Sequence, residues 1–331
     1  MTPDFTEQSL VFALVIGHKS PDTDSVVSAM MFSQIMQQVC LIPSLAGYRF
    51  QPCVTGPLNP ETRYVLNRFS VDCPALVVSL EKDQPVFLVD HADYDQAVDG
   101  LKQAQILGVI DHHRVGGIST PGPIFARSEP IGSTCSLLAK MAYEQGFEPD
   151  RQQASLLLCG LVSDTLNLTS PTTTAEDRRL AQDLCRLSGI SVQELADGLF
   201  AAKSDISSLT SAELVAKDYK AFDSGRTVFG FGVWETTKPE TVFARRHEIL
   251  EALKAKKAHD GLNLIFFAVV DIAKSESFLL IVGPEEQQIA QSVYGTAAEN
   301  GLVPLPGVIS RKKQMLPPLI SFLKARAETR H

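Results

Sequence analysis

The chain has 331 residues, 44% apolar and 21% charged, with 30 Lys and Arg against 38 Asp and Glu, a net charge of −8. That length and apolar content suffice for a full core shared between two domains. The acidic balance argues against a general nucleic-acid binder, although a local basic patch for an anionic substrate fits inside an acidic total.

In chain order, residues 11–16 read as a buried strand; Asp4 and Glu7 precede it and His18 and Lys19 follow. That pattern suits neither a signal peptide nor a membrane span, which needs roughly 20 apolar residues. Pro21 and Ser25 lead into a helical pattern of Val26, Val27, Met30, Met31, Gln34, Ile35 and Met36. Residues 86–89 and 106–110 read as the second and third strands, and residues 152–166 as a buried helix. This alternation predicts an α/β domain over 1–202 with a doubly wound, mainly parallel sheet. Residues 203–209, polar and serine-rich, read as a hinge. Beyond it, 227–234 reads as a strand, 240–257 as one charged amphipathic helix, and 262–270 and 277–282 as further strands. They predict a smaller α/β domain over 210–331 with a mixed sheet. The six cysteines (Cys40, Cys53, Cys73, Cys135, Cys159 and Cys185) include no C-x-x-C pair, as expected of reduced thiols in a cytoplasmic protein.

The chemistry gathers at the ends of the predicted strands. The first runs into His18, Asp22 and Asp24, the second ends in Asp90-His91, and the third in Asp111-His112-His113. In an open α/β sheet, ligands bind beyond the carboxyl ends of the strands, so these loops should converge. Asp164 adds a charge inside an apolar helical run, where it needs a partner or a metal. Singly, each residue has a plain explanation: Asp24 or Ser25 caps the next helix, His91 is a satisfied loop histidine, and Asp after a strand is ordinary turn chemistry. Three strand ends delivering Asp or His together with Asp164 are not explained by caps. They predict a metal centre. Carboxylates and imidazoles without thiolates suit Mn²⁺, and less specifically Co²⁺, Fe²⁺ or Zn²⁺. Four aspartates and two histidines are about right for two ions sharing a carboxylate.

These motifs, His18-x-x-x-Asp22-x-Asp24, then Asp90, then Asp111-His112-His113, resemble the DHH phosphoesterase superfamily and, within it, the family II manganese-dependent inorganic pyrophosphatases. The resemblance covers nearly the whole chain, leaving an N-terminal extension of about ten residues. It implies that His18, Asp22 and Asp90 hold one ion and Asp24, Asp90, His112 and Asp164 the other, with Asp90 as the bridge. It also implies that Asp111 orients its neighbours. Ser310-Arg311-Lys312-Lys313-Gln314, by itself an ordinary solvated basic run, matches a motif near the end of these enzymes. By that likeness Arg311 and Lys312, with Lys220, bind the substrate phosphates, and His113 faces the bridging or leaving oxygen. A lone Lys such as Lys220 on an amphipathic helix would otherwise be surface.

The implied activity is hydrolysis of pyrophosphate to two orthophosphates at an interdomain cleft, by a hydroxide activated by two metals and without a covalent intermediate. Two Mn²⁺ per subunit are expected, with Co²⁺ as a substitute and Mg²⁺ arriving with the substrate. A cytoplasmic homodimer without nucleic-acid or membrane partners is expected. Ser20 stands where the family usually has Asn, and Asp93 where Glu is common. The rival enzyme readings are an exopolyphosphatase and a DHH nuclease; the Gly-Gly-Gly-His motif of the nucleases is absent. A rival of another class is a binding protein that kept the fold. The acidic charge is uneven: residues 1–202 carry 13 Lys and Arg against 23 Asp and Glu, residues 203–331 carry 17 against 15.

Overall fold

The computed structural model describes residues 11–114, 116–207, 209–225, 227–298 and 301–328. The expected N-terminal extension, and Ser208 of the expected hinge, lie outside the described residues. The chain forms two compact units, Met1–Ala202 and Lys203–His331.

In the first unit, six strands form one sheet in the order β3-β2-β1-β4-β5-β6. They are β1 (Val11–Ile16), β2 (Tyr48–Val54), β3 (Ala75–Leu76), β4 (Pro85–Val89), β5 (Gln105–Asp111) and β6 (Phe125–Ser128). Every neighbouring pair is parallel. Strand β4 reads Pro-Val-Phe-Leu-Val, with its last four residues buried, as a strand covered on both faces requires. The helices are α1 (Thr23–Val39), α2 (Pro60–Arg68), α3 (Thr134–Glu144), α4 (Arg151–Asp164), α5 (Ala175–Ser188) and α6 (Val192–Lys203). The larger core joins them to one face of the sheet and centres on Phe32, which stacks on Phe87 at 4.0 Å while Phe50 meets both edge-on. A smaller core, including Leu80, Leu88, Val98 and Leu101, covers other strand residues. Strand order reverses between β1 and β4, which places the loops after both at the switch point where such sheets bind ligands.

The second unit holds α7 (Ser211–Ala216), β7 (Tyr219–Asp223), β8 (Val228–Thr236), α8 (Pro239–Ala244), α9 (Arg246–His259), β9 (Leu264–Asp271), β10 (Glu276–Leu280), α10 (Pro284–Tyr294), β11 (Leu302–Pro306) and α11 (Leu316–Glu328). Its sheet, β11-β10-β9-β8-β7, is mixed: β8 and β9 run parallel and the other pairs antiparallel. The α/β class, with a parallel and a mixed sheet, is the one expected.

Local readings differ in two places. The expected helix over 240–257 is two helices, because Arg245 leaves helical geometry at φ −100° and ψ 15°. Its guanidinium donates instead to the carbonyls of Ile206 and Leu209, each at 2.9 Å. Lys220 lies on strand β7, paired with Phe231 of β8, and not on a helix. A five-residue run carries too little periodicity to separate the two, and the pairing with β8 decides it. The residues shortly before the basic run form edge strand β11, where Pro304 and Pro306 are tolerated because, among the described residues, only β10 pairs with it.

Candidate metal centre

The loop after β1 ends in Asp22, which caps α1 by accepting the Ser25 N–H at 2.9 Å. The cap is therefore neither Asp24 nor Ser25. Asp24 sits in the first turn of α1, fully buried, and its carboxylate reaches across to the start of α3. There it accepts the backbone N–H of Thr134 at 2.6 Å and of Cys135 at 2.9 Å. Free N–H groups at a helix N-terminus are a natural seat for a carboxylate. Asp90 follows β4 with φ +63°, a left-handed conformation that Asp tolerates better than most side chains.

Asp90 divides its two oxygens. Oδ2 lies 3.5 Å from His18 Nε2, which is itself 3.6 Å from Asp22 Oδ2. Oδ1 lies 3.4 Å from His112 Nε2, which is 3.1 Å from Asp164 Oδ2. Donor atoms of His18, Asp22 and Asp90 lie within 4.8 Å of one another, as do those of Asp24, His112 and Asp164, and those of Asp90, His112 and His113. All six residues expected to hold metal are thus gathered in one place. Nδ1 of His112 faces the Ile131 carbonyl at 3.0 Å, so its proton belongs there and leaves the Nε2 lone pair for a ligand. That buried Nε2 faces the Asp90 and Asp164 carboxylates. Thr134 donates its hydroxyl to Asp90 Oδ1 at 2.9 Å. Asp111 accepts from the backbone N–H and Nδ1 of His113, at 3.1 and 2.9 Å, and so holds that half-exposed ring. His91 belongs to none of the three groups; its Nδ1 faces the Val89 carbonyl.

So many buried charges displace protonation equilibria. Burial opposes the charge on His18, but hydrogen bonds to Asp22 and Asp90 prevail and raise it to about 10. Burial likewise opposes His112, and Asp164 and Asp90 together lift it to about 12. Burial works to raise Asp90, but bonding to both histidines holds it well below the usual carboxylate range. Asp24 and Asp164 are pushed upward, by burial first and then by repulsion from Asp90. In this state protons on two imidazoles balance a carboxylate cluster, the task a divalent cation performs when bound.

A cleft of about 700 Å³ opens beside the cluster, lined by His112, His113, Asp164, residues 130–131 and the Ser/Thr-rich loop 170–174. Sequence reasoning missed Thr134 and this loop. Gly132-Ser133-Thr134 ahead of an apolar run is a legible helix start, but nothing local says that the start faces Asp24 and Asp90.

In the second unit, Ser310 begins the turn at residues 311–315 by accepting the Lys313 N–H, and Gln314 Oε1 accepts the N–H groups of Ile309 and Ser310, each at 3.0 Å. Arg311 is anchored: its guanidinium donates to the Asp218 and Phe231 carbonyls and to Asp218 Oδ1 at 2.7 Å. Lys220 and Lys312 are exposed, and neither forms an ion pair among the described residues.

The model of the DHH family, N-terminal domain, matches residues 13–161, and that of the DHHA2 domain matches residues 197–322. A manganese-dependent inorganic pyrophosphatase of Methanothrix thermoacetophila is 35% identical over 311 residues, covering 94% of this chain and 98% of that protein. A Deinococcus radiodurans protein named a probable manganese-dependent inorganic pyrophosphatase is 36% identical over 318 residues, covering 95% of this chain and 99% of its own. Among solved structures, a Methanococcus jannaschii protein assigned to the family II inorganic pyrophosphatases superposes with a TM-score of 0.65 at 33% identity, over 94% of this chain and 99% of that one. With full-length relatives at this identity and both domain models in order, the chain belongs to the family II, manganese-dependent inorganic pyrophosphatases, built from a DHH domain followed by a DHHA2 domain.

Proposed function

We propose that this protein is an inorganic diphosphatase that hydrolyses pyrophosphate to two orthophosphates at a pair of Mn²⁺ ions. The observation that carries the reading is the division of Asp90, one oxygen toward His18 and Asp22, the other toward His112 and Asp164. The donors fit the metal: carboxylates and imidazoles without a thiolate, with the buried His112 Nε2 set between the Asp90 and Asp164 oxygens. His18, Asp22 and Asp90 would hold one ion and Asp24, Asp90, His112 and Asp164 the other; Co²⁺ suits the same donors. Bound there, such a pair supplies Lewis acidity and a water ionised near neutrality.

The chain's own groups do the rest. His113, with Nδ1 held by Asp111 and its pKa raised chiefly by that hydrogen bond, would turn Nε2 toward the bridging or leaving oxygen. Arg311, preset by Asp218, and the exposed Lys220 and Lys312 would take the leaving phosphate when the second unit closes over the first. Closure also excludes bulk water. Water attacks phosphorus directly, so no side chain is phosphorylated. Mg²⁺ accompanies the pyrophosphate, which is strongly anionic. We further propose a cytoplasmic homodimer without nucleic-acid or membrane partners; among the described residues no helix is long and apolar enough to cross a membrane.

Phosphate release from pyrophosphate, tripolyphosphate and a dinucleotide, with Mn²⁺ or Mg²⁺ supplied, tests the assignment. Pyrophosphate should dominate. Faster turnover of tripolyphosphate would move the chain to the polyphosphatases, and faster turnover of the dinucleotide to the nucleases.

A further inference from the structure

The segment 131–135, at the start of α3, touches three of the four ligands proposed for one ion and packs beside the residue that follows the fourth. The Ile131 carbonyl fixes His112 through Nδ1 at 3.0 Å. The Thr134 and Cys135 N–H groups hold the two oxygens of Asp24, and the Thr134 hydroxyl holds Asp90. Gly132 packs so closely on Thr165, the residue after Asp164, that a Cβ there would lie 2.5 Å from the Thr165 methyl. What anchors the segment comes from elsewhere. Asp177, fully buried on α5, accepts the Gly132 N–H through both oxygens at 3.1 and 2.9 Å. Its Oδ2 also takes the N–H and hydroxyl of Thr174, each at 2.7 Å. The Thr174 bonds form an ordinary capping box, which serves α5 alone. The bond to Gly132 serves nothing in α5 and reaches out of the helix. Among the described residues no Lys or Arg pairs with this carboxylate, so N–H and O–H groups alone satisfy it.

We infer that Asp177 is a positioning residue of the metal centre. It pins Gly132, and thereby sets the carbonyl that selects the His112 tautomer and the amides that seat Asp24. The inference rests on the metal-site reading above. Substituting groups that orient metal ligands costs about 10–100-fold in metal affinity. Mn²⁺ titration calorimetry on the full chain, with Mn²⁺ electron paramagnetic resonance for the coupled ion pair, reads this without turnover. Asp177→Ala should weaken the second Mn²⁺ by about 10–100-fold and require excess metal for the coupled signal. Asp177→Asn, which keeps one acceptor oxygen, should lose less. Asp150→Ala removes a comparable capping box from α4, and should lower Tm while leaving Mn²⁺ affinity unaltered. Asp177→Ala binding Mn²⁺ as tightly as the natural chain, with Tm lowered as in Asp150→Ala, would overturn the inference alone. A natural chain without tight Mn²⁺ binding would overturn the metal centre and the inference with it. Should Asp177→Ala not fold, Asp177→Asn and Gly132→Ala carry the same measurement, and unchanged affinity in both is the overturning result.

Discussion

At the scale of single residues, Asp90 carries the most. Its left-handed backbone and divided carboxylate set it between His18 on one side and His112 on the other. Asp90→Ala should abolish the coupled metal pair, and a chain that still binds two Mn²⁺ tightly would remove it as the bridge. Protons and metal compete for these ligands. His18 and His112 are raised to about 10 and about 12, so both are protonated at neutrality without metal and each proton must leave before Nε2 ligates. Mn²⁺ affinity should therefore strengthen as pH rises from 6 to 9, by about tenfold per unit for each proton displaced. Proton release measured during titration checks the sign; affinity independent of pH would contradict it. Lys312→Ala should lower kcat/KM by about tenfold or more with metal content intact, since the exposed Lys312 is proposed to bind phosphate and forms no ion pair among the described residues. Unaltered kcat/KM would return the basic run to surface decoration.

Helices and strands decide where those residues point. The strand ends after β1, β4 and β5 were legible because buried apolar runs stop abruptly at Asp and His, and parallel sheets bind ligands there. Asp24 was legible by type but not by function in the fold: its partners Thr134 and Cys135 lie more than a hundred residues away, at the start of α3. No local period encodes that meeting. Lys220 shows the complementary failure, because the five residues of β7 acquire strand geometry only by pairing with β8. Where Phe87 of β4 stacks on Phe32 of α1, the element that ends in Asp90 is locked to the helix that carries Asp24. Phe87→Ala should destabilise the first unit by about 3–5 kcal/mol. Chemical denaturation gives the value directly, and a loss under about 1 kcal/mol would show that the contact does not organise the sheet.

Across the whole molecule, charge follows the division of labour proposed for the two units. The first carries 13 Lys and Arg against 23 Asp and Glu and holds the proposed metal ligands; the second carries 17 against 15 and holds Lys220, Arg311 and Lys312. Metal should accordingly stabilise the units unequally. Mn²⁺ at about a hundred times its Kd should add about 2.7 kcal/mol to the first unit. Calorimetric melting with and without chelator should move that unit's transition and leave the other in place. A uniform shift of both would mean that the ions also couple to the second unit.

The amino-acid sequence alone determined the α/β class, the two-sheet organisation and the residue types of the candidate metal centre, because hydrophobic periodicity and abrupt Asp/His strand ends are local signals. Only the tertiary structure decided that Asp90 faces two donor sets, that α3 seats Asp24, and that Asp177 reaches out of its helix to Gly132. Those are contacts between segments far apart in the chain. They form because burying a carboxylate requires it to find N–H donors wherever the packed core presents them.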